Sequence, residues 1–454
     1  MGLSVVILAA GMGKRMKSGM PKVLHPIAGK PMVKHVIDAA AKLNPAKTVL
    51  VYGHGGDQVK AALSDVDVAW AEQTELLGTG DAVNRAIPQL DDSDVVLILY
   101  GDVPLITSET LTRLMLASEG GNVGLLTVHI ENPRGYGRIV RDGADGPVTR
   151  IVEEKDASAA EKCITEVNTG LMSVGKQQLE KWLSNLNNDN AQGEYYLTDI
   201  IEMAVNEGLK VNAVHPESEA EVTGVNDKQQ LAMLERVYQA DKSFHLLQDG
   251  LYLLDPARFD IRGEIEFGTD CTIDINCVIE GKVKLGDGVN IGPNCVIKDS
   301  VIGDNTQINA NSVLDNAEVG AGCKIGPFAR LRPDAQLKDE VHIGNFVEVK
   351  KSVIGNGSKA NHLAYIGDAE IGKKSNIGAG TITCNYDGVN KSKTIIGDEV
   401  FIGSDTQLVA PVTVEDGATV AAGATITKTV PAGALAITRS PQKTYKDWPK
   451  PKKK

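Results

Sequence analysis

Long apolar runs are missing from this chain. No stretch of about 18 apolar residues occurs, which excludes a transmembrane helix. The opening Met1-Gly2-Leu3-Ser4-Val5-Val6-Ile7 carries no basic leader and no small-residue cleavage pattern. A secretory signal is therefore not expected, and a cytoplasmic location is. No CxxC pair occurs among Cys163, Cys271, Cys277, Cys295, Cys323 and Cys384. In a cytosolic chain they read as reduced, mostly buried thiols, not as disulfides or zinc ligands. Positive charge is also short: 47 Lys and Arg against 59 Asp and Glu give a net charge of −12. That argues against nucleic acid as a partner, since phosphate backbones need a basic face. A small polyanionic substrate needs only a local basic pocket, so it stays open. The tail Lys450-Pro451-Lys452-Lys453-Lys454 reads as solvated. Aromatics are scarce at 4%, but 42% apolar and 23% charged residues exclude a disordered chain.

Glycine is plentiful and unevenly used, with 47 in 454 residues. The first half alternates short apolar runs with helical stretches. Candidate strands are Ser4–Ala9, Thr48–Tyr52, Val68–Ala71, Val95–Tyr100, Gly124–Val128, Gly170–Val174 and Val211–Val214. Continuous Val/Ile/Leu runs between helices predict a mostly parallel sheet covered on both faces, an α/β Rossmann-like domain. Such sheets bind ligands at the carboxyl ends of their strands. From Asn226 to about Gly250, Leu231, Leu234, Val237, Tyr238 and Leu247 recur at helical spacing. Either Asn226 or Asp227 could cap that helix, and Asp255-Pro256-Ala257-Arg258-Phe259 ends it. The organisation expected is a domain over 1–226, a helical linker over 227–250 and a second domain over 251–454.

The second half repeats every sixth residue: Ile273, Ile279, Leu285, Ile291, Ile297. The register resets at Ile325, Leu331, Leu337, Ile343, Val349, and again at Ile396, Ile402, Leu408, Val414, Val420, Ile426. Gly follows many of them, as in Ile291-Gly292, Ile343-Gly344 and Ile402-Gly403. A period of six is neither helical nor that of a flat strand. It fits the hexapeptide parallel β-helix, whose inward aliphatics stack from coil to coil. Gly378 to Thr394 breaks the pattern and reads as an inserted loop leaving the prism.

Leu8-Ala9-Ala10-Gly11-Met12-Gly13-Lys14-Arg15-Met16 follows the first strand. Glycine there lets backbone N–H groups approach a phosphate, and a helix start would add positive potential. Arg15 and Lys22 bring cations to the same turn. The plain alternative is a tight strand-to-helix turn with solvated basic residues. Pro21-Lys22-Val23-Leu24 and Ala28-Gly29-Lys30-Pro31-Met32 follow. The whole set resembles the sugar-phosphate nucleotidyltransferase signature. With the hexapeptide repeat and the Asn385-Tyr386-Asp387-Gly388 loop, residues 4 to about 441 resemble the bifunctional N-acetylglucosamine-1-phosphate uridyltransferase/glucosamine-1-phosphate acetyltransferase family, whose coils are left-handed.

The resemblance implies roles. Leu8, Ala9, Ala10, Gly11, Gln73, Gly78 and Thr79 would hold the nucleotide, with Tyr100 and Gly101 beside Asp102 at a strand end. Asp102 and Asn226 would bind Mg²⁺. Gly137, Glu153 and Asn168 would hold N-acetylglucosamine, and Arg15 and Lys22 would act on the triphosphate. An oxygen-only site with few protein ligands suits Mg²⁺, and two anionic reactants need cations at the transferring phosphorus. The plain readings are a turn residue for Asp102 and a helix cap for Asn226. Lys14 and Asp81 depart from the superfamily, which commonly has Thr and His there.

In the repeat, Arg332, Lys350, Tyr365 and Asn376 would bind glucosamine 1-phosphate. His362 would be the general base, because a neutral imidazole can take the amine's proton. Ala379, Asn385, Tyr386, Ser404, Ala422 and Arg439 would contact acetyl-CoA. His342 shows the plain alternative for a histidine in such a repeat. The implied reactants are UTP, acetyl-CoA, glucosamine 1-phosphate and N-acetylglucosamine 1-phosphate, in a homotrimer with no nucleic-acid or membrane partner. The implied setting is synthesis of a precursor for peptidoglycan and lipopolysaccharide. Two other readings remain: a transferase whose prism only assembles subunits, and a non-enzymatic regulatory subunit.

Overall fold

The structure, a computed structural model, describes residues 2–92, 94–143 and 145–450. Of the basic tail, residues 451–454 lie outside the described residues. The chain folds as two compact units, Met1–Tyr238 and Gln239–Lys454. The division falls inside the helix Lys228–Gln248. Asp227 caps that helix: its Oδ1 accepts from Gln230 N at 2.9 Å. It closes at Gln248, ahead of the Asp255 segment expected to end it. Gly250 N and Leu251 N bond back to Leu247 O and Leu246 O instead.

The first unit is built on one sheet. Its strands are β1 Leu3–Ala9, β2 Lys47–Tyr52, β3 Ala69–Glu72, β4 Val95–Tyr100, β5 Val123–His129, β6 Arg138–Arg141, β7 Val148–Val152, β8 Glu166–Gly175 and β9 Val211–Val214. The order is β9-β5-β8-β4-β1-β2-β3, with β6 and β7 as a hairpin off β8. The pairings β1–β2, β1–β4, β2–β3 and β5–β9 are parallel, and β8 runs antiparallel between β4 and β5. Alternate residues feed two cores: Val6, Leu8, Val49, Val51, Val96 and Ile98 on one face, Val5, Ile7, Leu50, Leu97 and Leu99 on the other. This is the doubly covered, mostly parallel sheet that the unbroken apolar runs predict. The hairpin β6–β7 was not legible as strand, because Arg138, Arg141 and Arg150 interrupt its apolar residues.

The second unit is a left-handed parallel β-helix of hexapeptide repeats. All the sixth-residue aliphatics named above are buried. They stack in register, as Ile273 on Ile291, Ile325 on Ile343 and Ile402 on Val420. Burying each removes about 1.5–3 kcal/mol of exposed apolar cost. The corners take small donors. The buried thiols of Cys271, Cys277, Cys295 and Cys323 face backbone oxygens of the next coil at 3.0, 3.2, 3.3 and 3.1 Å. Thr306, Ser358 and Ser375 make the corresponding bond with a hydroxyl at 2.8, 2.6 and 2.8 Å. Cysteine here is a corner residue, although Cys163 is exposed and Cys384 half-buried.

The expected inserted loop is too long. Ile382–Cys384 is a regular strand of the prism, paired on both sides. Its inward residue is Thr383, whose Oγ1 accepts from Gly367 N at 2.7 Å and donates to Gly367 O at 3.0 Å. A polar residue at the core position breaks the hydrophobic count without breaking the coil. The insertion proper lies between Cys384 and Thr394. It widens the coil spacing from 18 residues between Asp339 and Ala321 to 25 between Asp398 and Lys373.

Candidate functional site

In the first unit the strand order reverses between β1 and β4, since β2 and β3 lie to one side and β8 to the other. A crevice forms at the carboxyl ends of strands at such a reversal. A cavity of about 300 Å³ opens there, walled by Leu8 and Ala9 at the end of β1 with Ala10 and Gly11 beyond it, and by Tyr100 at the end of β4 with Asp102 beyond it. Gln73, Gly78, Thr79 and Lys22, also expected from the sequence, line it as well, whereas Gly101 between Tyr100 and Asp102 is not among the lining residues. Val23, Leu76, Ala82 and Glu194 line it too and were not singled out; nothing in their spacing marks them. Gly78 is required by conformation, with φ 111° and a Cβ that would fall 2.6 Å from Tyr195 O.

A second cavity of about 170 Å³ holds Met12, Gly13, Lys14, Arg15, Lys22 and Asn226. The two cavities share Lys22. The turn does not open an α-helix: only the short 3₁₀ turn Lys14–Met16 follows it, and the first α-helix begins at Met32. Gly13 takes φ 57°, and a Cβ there would strike Lys22 Cβ at 2.7 Å, so the turn packs on Lys22. Positive potential therefore comes from Lys14, Arg15 and Lys22, not from a helix end. Among the described residues, the N–H groups of Gly11, Met12 and Gly13 meet no protein acceptor.

Lys22 Nζ pairs with Asp102 Oδ2 and donates to Asn226 Oδ1 at 3.4 Å. Two oxygens thus converge on one cation. Val225 N bonds Asp102 O at 2.9 Å and ties the two segments together. Because Asp227 caps the helix, Asn226 is spared that role. Its backbone N–H is held by Gln230 Oε1 at 2.8 Å.

The predicted sugar residues also meet. Asn168 N donates to Gly137 O at 2.8 Å, and a Cβ on Gly137 would lie 3.4 Å from Glu153 Oε1. Thr198 Oγ1 donates to Glu153 Oε1 at 3.1 Å. Burial, more than the nearby Asp199, Asp156 and Glu194, raises the Glu153 carboxyl above its ordinary range. Burial, reinforced by Glu153 and Asp102, raises the Tyr100 phenol. Tyr100 lines the nucleotide cavity. Elsewhere on the sheet His129, Glu166 and His215 converge. Arg141 engages Glu166 at 2.7 Å through each of two nitrogens and Thr127 donates to it at 2.8 Å, so this cluster is structural.

In the prism, Arg332 Nη1 pairs with Glu348 Oε1 at 2.8 Å, and Glu348 is in register with Tyr365 on the next coil. Lys350 is in register with Gly367, two residues beyond Tyr365. Asn376 lies on a different sheet, beside Lys359 of the strand that ends in His362. His362 is exposed, and its Nδ1 lies 2.9 Å from Asn345 Oδ1. An amide oxygen can only accept, so Nδ1 carries the proton and Nε2 is left as the base. Asn345, not foreseen from the sequence, orients the histidine. His342 is flanked by Lys324 and Lys359, and burial lowers its pKa.

The corner that carries Asn345 and His362 continues through the coils. Gly380 N reaches His362 O at 3.4 Å, Asp405 N reaches Ala379 O at 2.7 Å and Gly423 N reaches Ser404 O at 2.8 Å. Arg439 Nη1 donates to Ala422 O at 3.2 Å. His362, Ala379, Ser404, Ala422 and Arg439 thus follow one edge of the prism. Asn385 is tied by its amide to Asp368 at the base of the insertion, and Tyr386 is exposed on it.

Residues 5–169 match the MobA-like NTP transferase domain, 261–335 the GMPPB C-terminal domain and 393–428 the six-repeat bacterial transferase hexapeptide. A nucleotidyl transferase from Methanothermobacter thermautotroptrophicus aligns over 55% of this chain and 99% of its own at 18% identity and TM-score 0.37. A UDP-glucose pyrophosphorylase complexed with UDP-glucose aligns over 52% and 98% at 14% identity and TM-score 0.43. The chain therefore joins a nucleotidyltransferase-type domain to a hexapeptide acyltransferase-type domain. No helix among the described residues is long and apolar enough to cross a membrane.

Proposed function

We propose that the protein acetylates glucosamine 1-phosphate from acetyl-CoA and then transfers uridylate from UTP to N-acetylglucosamine 1-phosphate, releasing pyrophosphate. The observation that carries this reading is the presence of two separate sites of matching chemistry on one chain. One is a basic turn beside Asp102 and Asn226 at the switch point. The other is an oriented, exposed imidazole on the prism edge.

In uridyl transfer the sugar phosphate attacks the α-phosphorus and pyrophosphate leaves. Arg15, Lys14 and the free N–H groups of Gly11 to Gly13 face the polyanion. Asp102 Oδ2 and Asn226 Oδ1 already share one cation, so these oxygens fit Mg²⁺. When bound there, Mg²⁺ would neutralise charge on the triphosphate. Lys22 would turn from Asp102 towards the phosphates. In acetyl transfer His362 Nε2 takes the proton as the amine attacks the thioester carbonyl, and CoA leaves as the thiol.

Assembly as a homotrimer is part of this reading. Phe328, Phe346 and Leu363 lie 49%, 55% and 62% exposed at successive corners, all with positive φ. The two phenyl rings stack at 5.3 Å. Bulky residues in that conformation cost about 1–2 kcal/mol each. An apolar stripe kept at such cost beside His362 suits contact with a second copy of the chain.

The test supplies UTP, Mg²⁺, acetyl-CoA and glucosamine 1-phosphate and measures CoA thiol and pyrophosphate separately. Both products are expected. Pyrophosphate only from supplied N-acetylglucosamine 1-phosphate, with no CoA thiol, would reduce the prism to an assembly scaffold. Neither product would overturn the reading.

A further inference from the structure

Gln73 is 4% exposed and fixed at both ends. Its backbone N–H bonds Tyr52 O at 2.8 Å. Its Nε2 donates to Gly78 O at 3.0 Å and to Asp81 Oδ2 at 2.9 Å. Both acceptors are acceptors only: one is a carbonyl and the other a carboxylate. Both amide hydrogens are therefore used, and the side chain cannot turn over without setting its oxygen against two oxygens. The side chain of Asp81 is only 10% exposed, and Arg85 Nη2 at 3.0 Å balances its charge. What remains to Gln73 on the cavity wall is Oε1. Among the described residues no donor meets that oxygen.

We propose that Asp81 is a specificity-determining positioning residue: it locks Gln73 so that the cavity presents a hydrogen-bond acceptor to the nucleobase. The base admitted is one with a ring N–H beside its carbonyls, as in uracil. Cytosine offers a lone pair at the same ring position and would set two acceptors face to face. This rests on the proposed nucleotide site and adds the residue that sets its polarity. A buried polar group left unpaired rejects a ligand far more strongly than a lost apolar contact does. Asp81 touches neither the base nor the reacting phosphate; it acts through Gln73.

Calorimetric titration of the full chain with UTP and with CTP, in Mg²⁺, tests this without requiring turnover. The wild type is expected to bind UTP about 10²-fold more tightly than CTP. Asp81→Ala removes one of the two acceptors that hold the amide and leaves Gly78 O alone against its turning, so the ratio should fall to about tenfold or less, chiefly because CTP binding improves. Asp81→Asn keeps the shape but offers Gln73 either an oxygen or an NH₂ group, so the ratio should fall there too. Thermal melts identify a variant that has not folded, and the other variant then carries the test. A merely structural role for Asp81 would weaken both nucleotides alike and leave the ratio unchanged. That result overturns the proposal while the uridyl-transfer reading stands. Equal binding of UTP and CTP by the wild type overturns the acceptor assignment. Binding of neither overturns the nucleotide site and this proposal with it.

Discussion

Asp102 is central to the first site: its carboxylate pairs with Lys22, which also reaches Asn226, and its backbone carbonyl holds Val225 N. Asp102→Asn keeps the shape and removes one charge. Uridyl transfer should fall by at least about 10²-fold, while CoA release is unchanged. A wild-type rate of pyrophosphate release with unaltered Mg²⁺ dependence would remove Asp102 from the site. His362→Ala should lower acetyl transfer by about 10²–10⁴-fold with uridyl transfer intact. His362 is exposed and, among the described residues, its side chain bonds only Asn345, so the variant's melting temperature should hold. Raising pH should partly restore the rate, since the amine then loses its proton to solvent. Near-normal CoA release would sink the base assignment. Asp199 offers a different test. Burial, with Glu202 and Asp156, raises its carboxyl from 3.8 to about 6. The folded chain then holds a proton that the unfolded chain has lost, so this group reduces stability as pH rises from about 4 to about 6. Asp199→Asn should therefore melt higher than wild type at neutral pH, with the gap closing in acid. A difference in melting temperature that does not change with pH would show that Asp199 is not shifted.

At the scale of elements, a period announces itself only where the pattern is strict. The sixth-residue aliphatics were legible because each fills the same inward position, coil after coil. The central first-unit strands β1, β4 and β5 were legible because both of their faces are buried. Three things escaped. The β6–β7 hairpin hid behind arginines whose partners, Glu154, Glu166 and Glu161, are distant in sequence. Thr383 hid a coil because its hydroxyl, not an aliphatic, meets the backbone of Gly367. Asn345 hid because one asparagine among many carries no signal until a histidine is seen against it. The predicted nucleotide residues were read from a family motif, and the structure brings them to one crevice; the motif could not show that Asp81 bonds Gln73. Thr383 also gives a measurable consequence. Thr383→Val fits the core in volume but leaves Gly367 N without its acceptor. The cost should be about 1–3 kcal/mol, read as a lower denaturant midpoint. An unchanged midpoint would mean the hydroxyl is dispensable and the coil is held by stacking alone.

Across the whole molecule, the question is where one activity could be cut from the other. The two compact units meet inside the helix Lys228–Gln248, so the loops on either side do not mark the boundary. The first half of that helix serves the first unit. Leu234 is fully buried with Met16, Ile27, Met32 and Val225, and Leu231 and Tyr238 pack on them. Glu235 Oε2 accepts from Ala28 N at 2.7 Å, which anchors the segment that follows the basic turn. Gln230 holds the backbone of Asn226. A fragment ending near Gly250 keeps all of this and should retain uridyl transfer while losing acetyl transfer. A fragment ending at Asn226 loses Leu234 and the Glu235 bond. Loss of one buried leucine alone costs about 2–5 kcal/mol, so this shorter fragment should melt well below the longer one. Its uridyl transfer should also need more Mg²⁺, because Asn226 is no longer held. The check is a melt and an Mg²⁺ titration of pyrophosphate release on both fragments. Equal melting temperatures and equal Mg²⁺ dependence would show that the helix belongs to the prism and that Asn226 does not depend on it. A folded longer fragment without uridyl transfer would show instead that the two units cannot work apart.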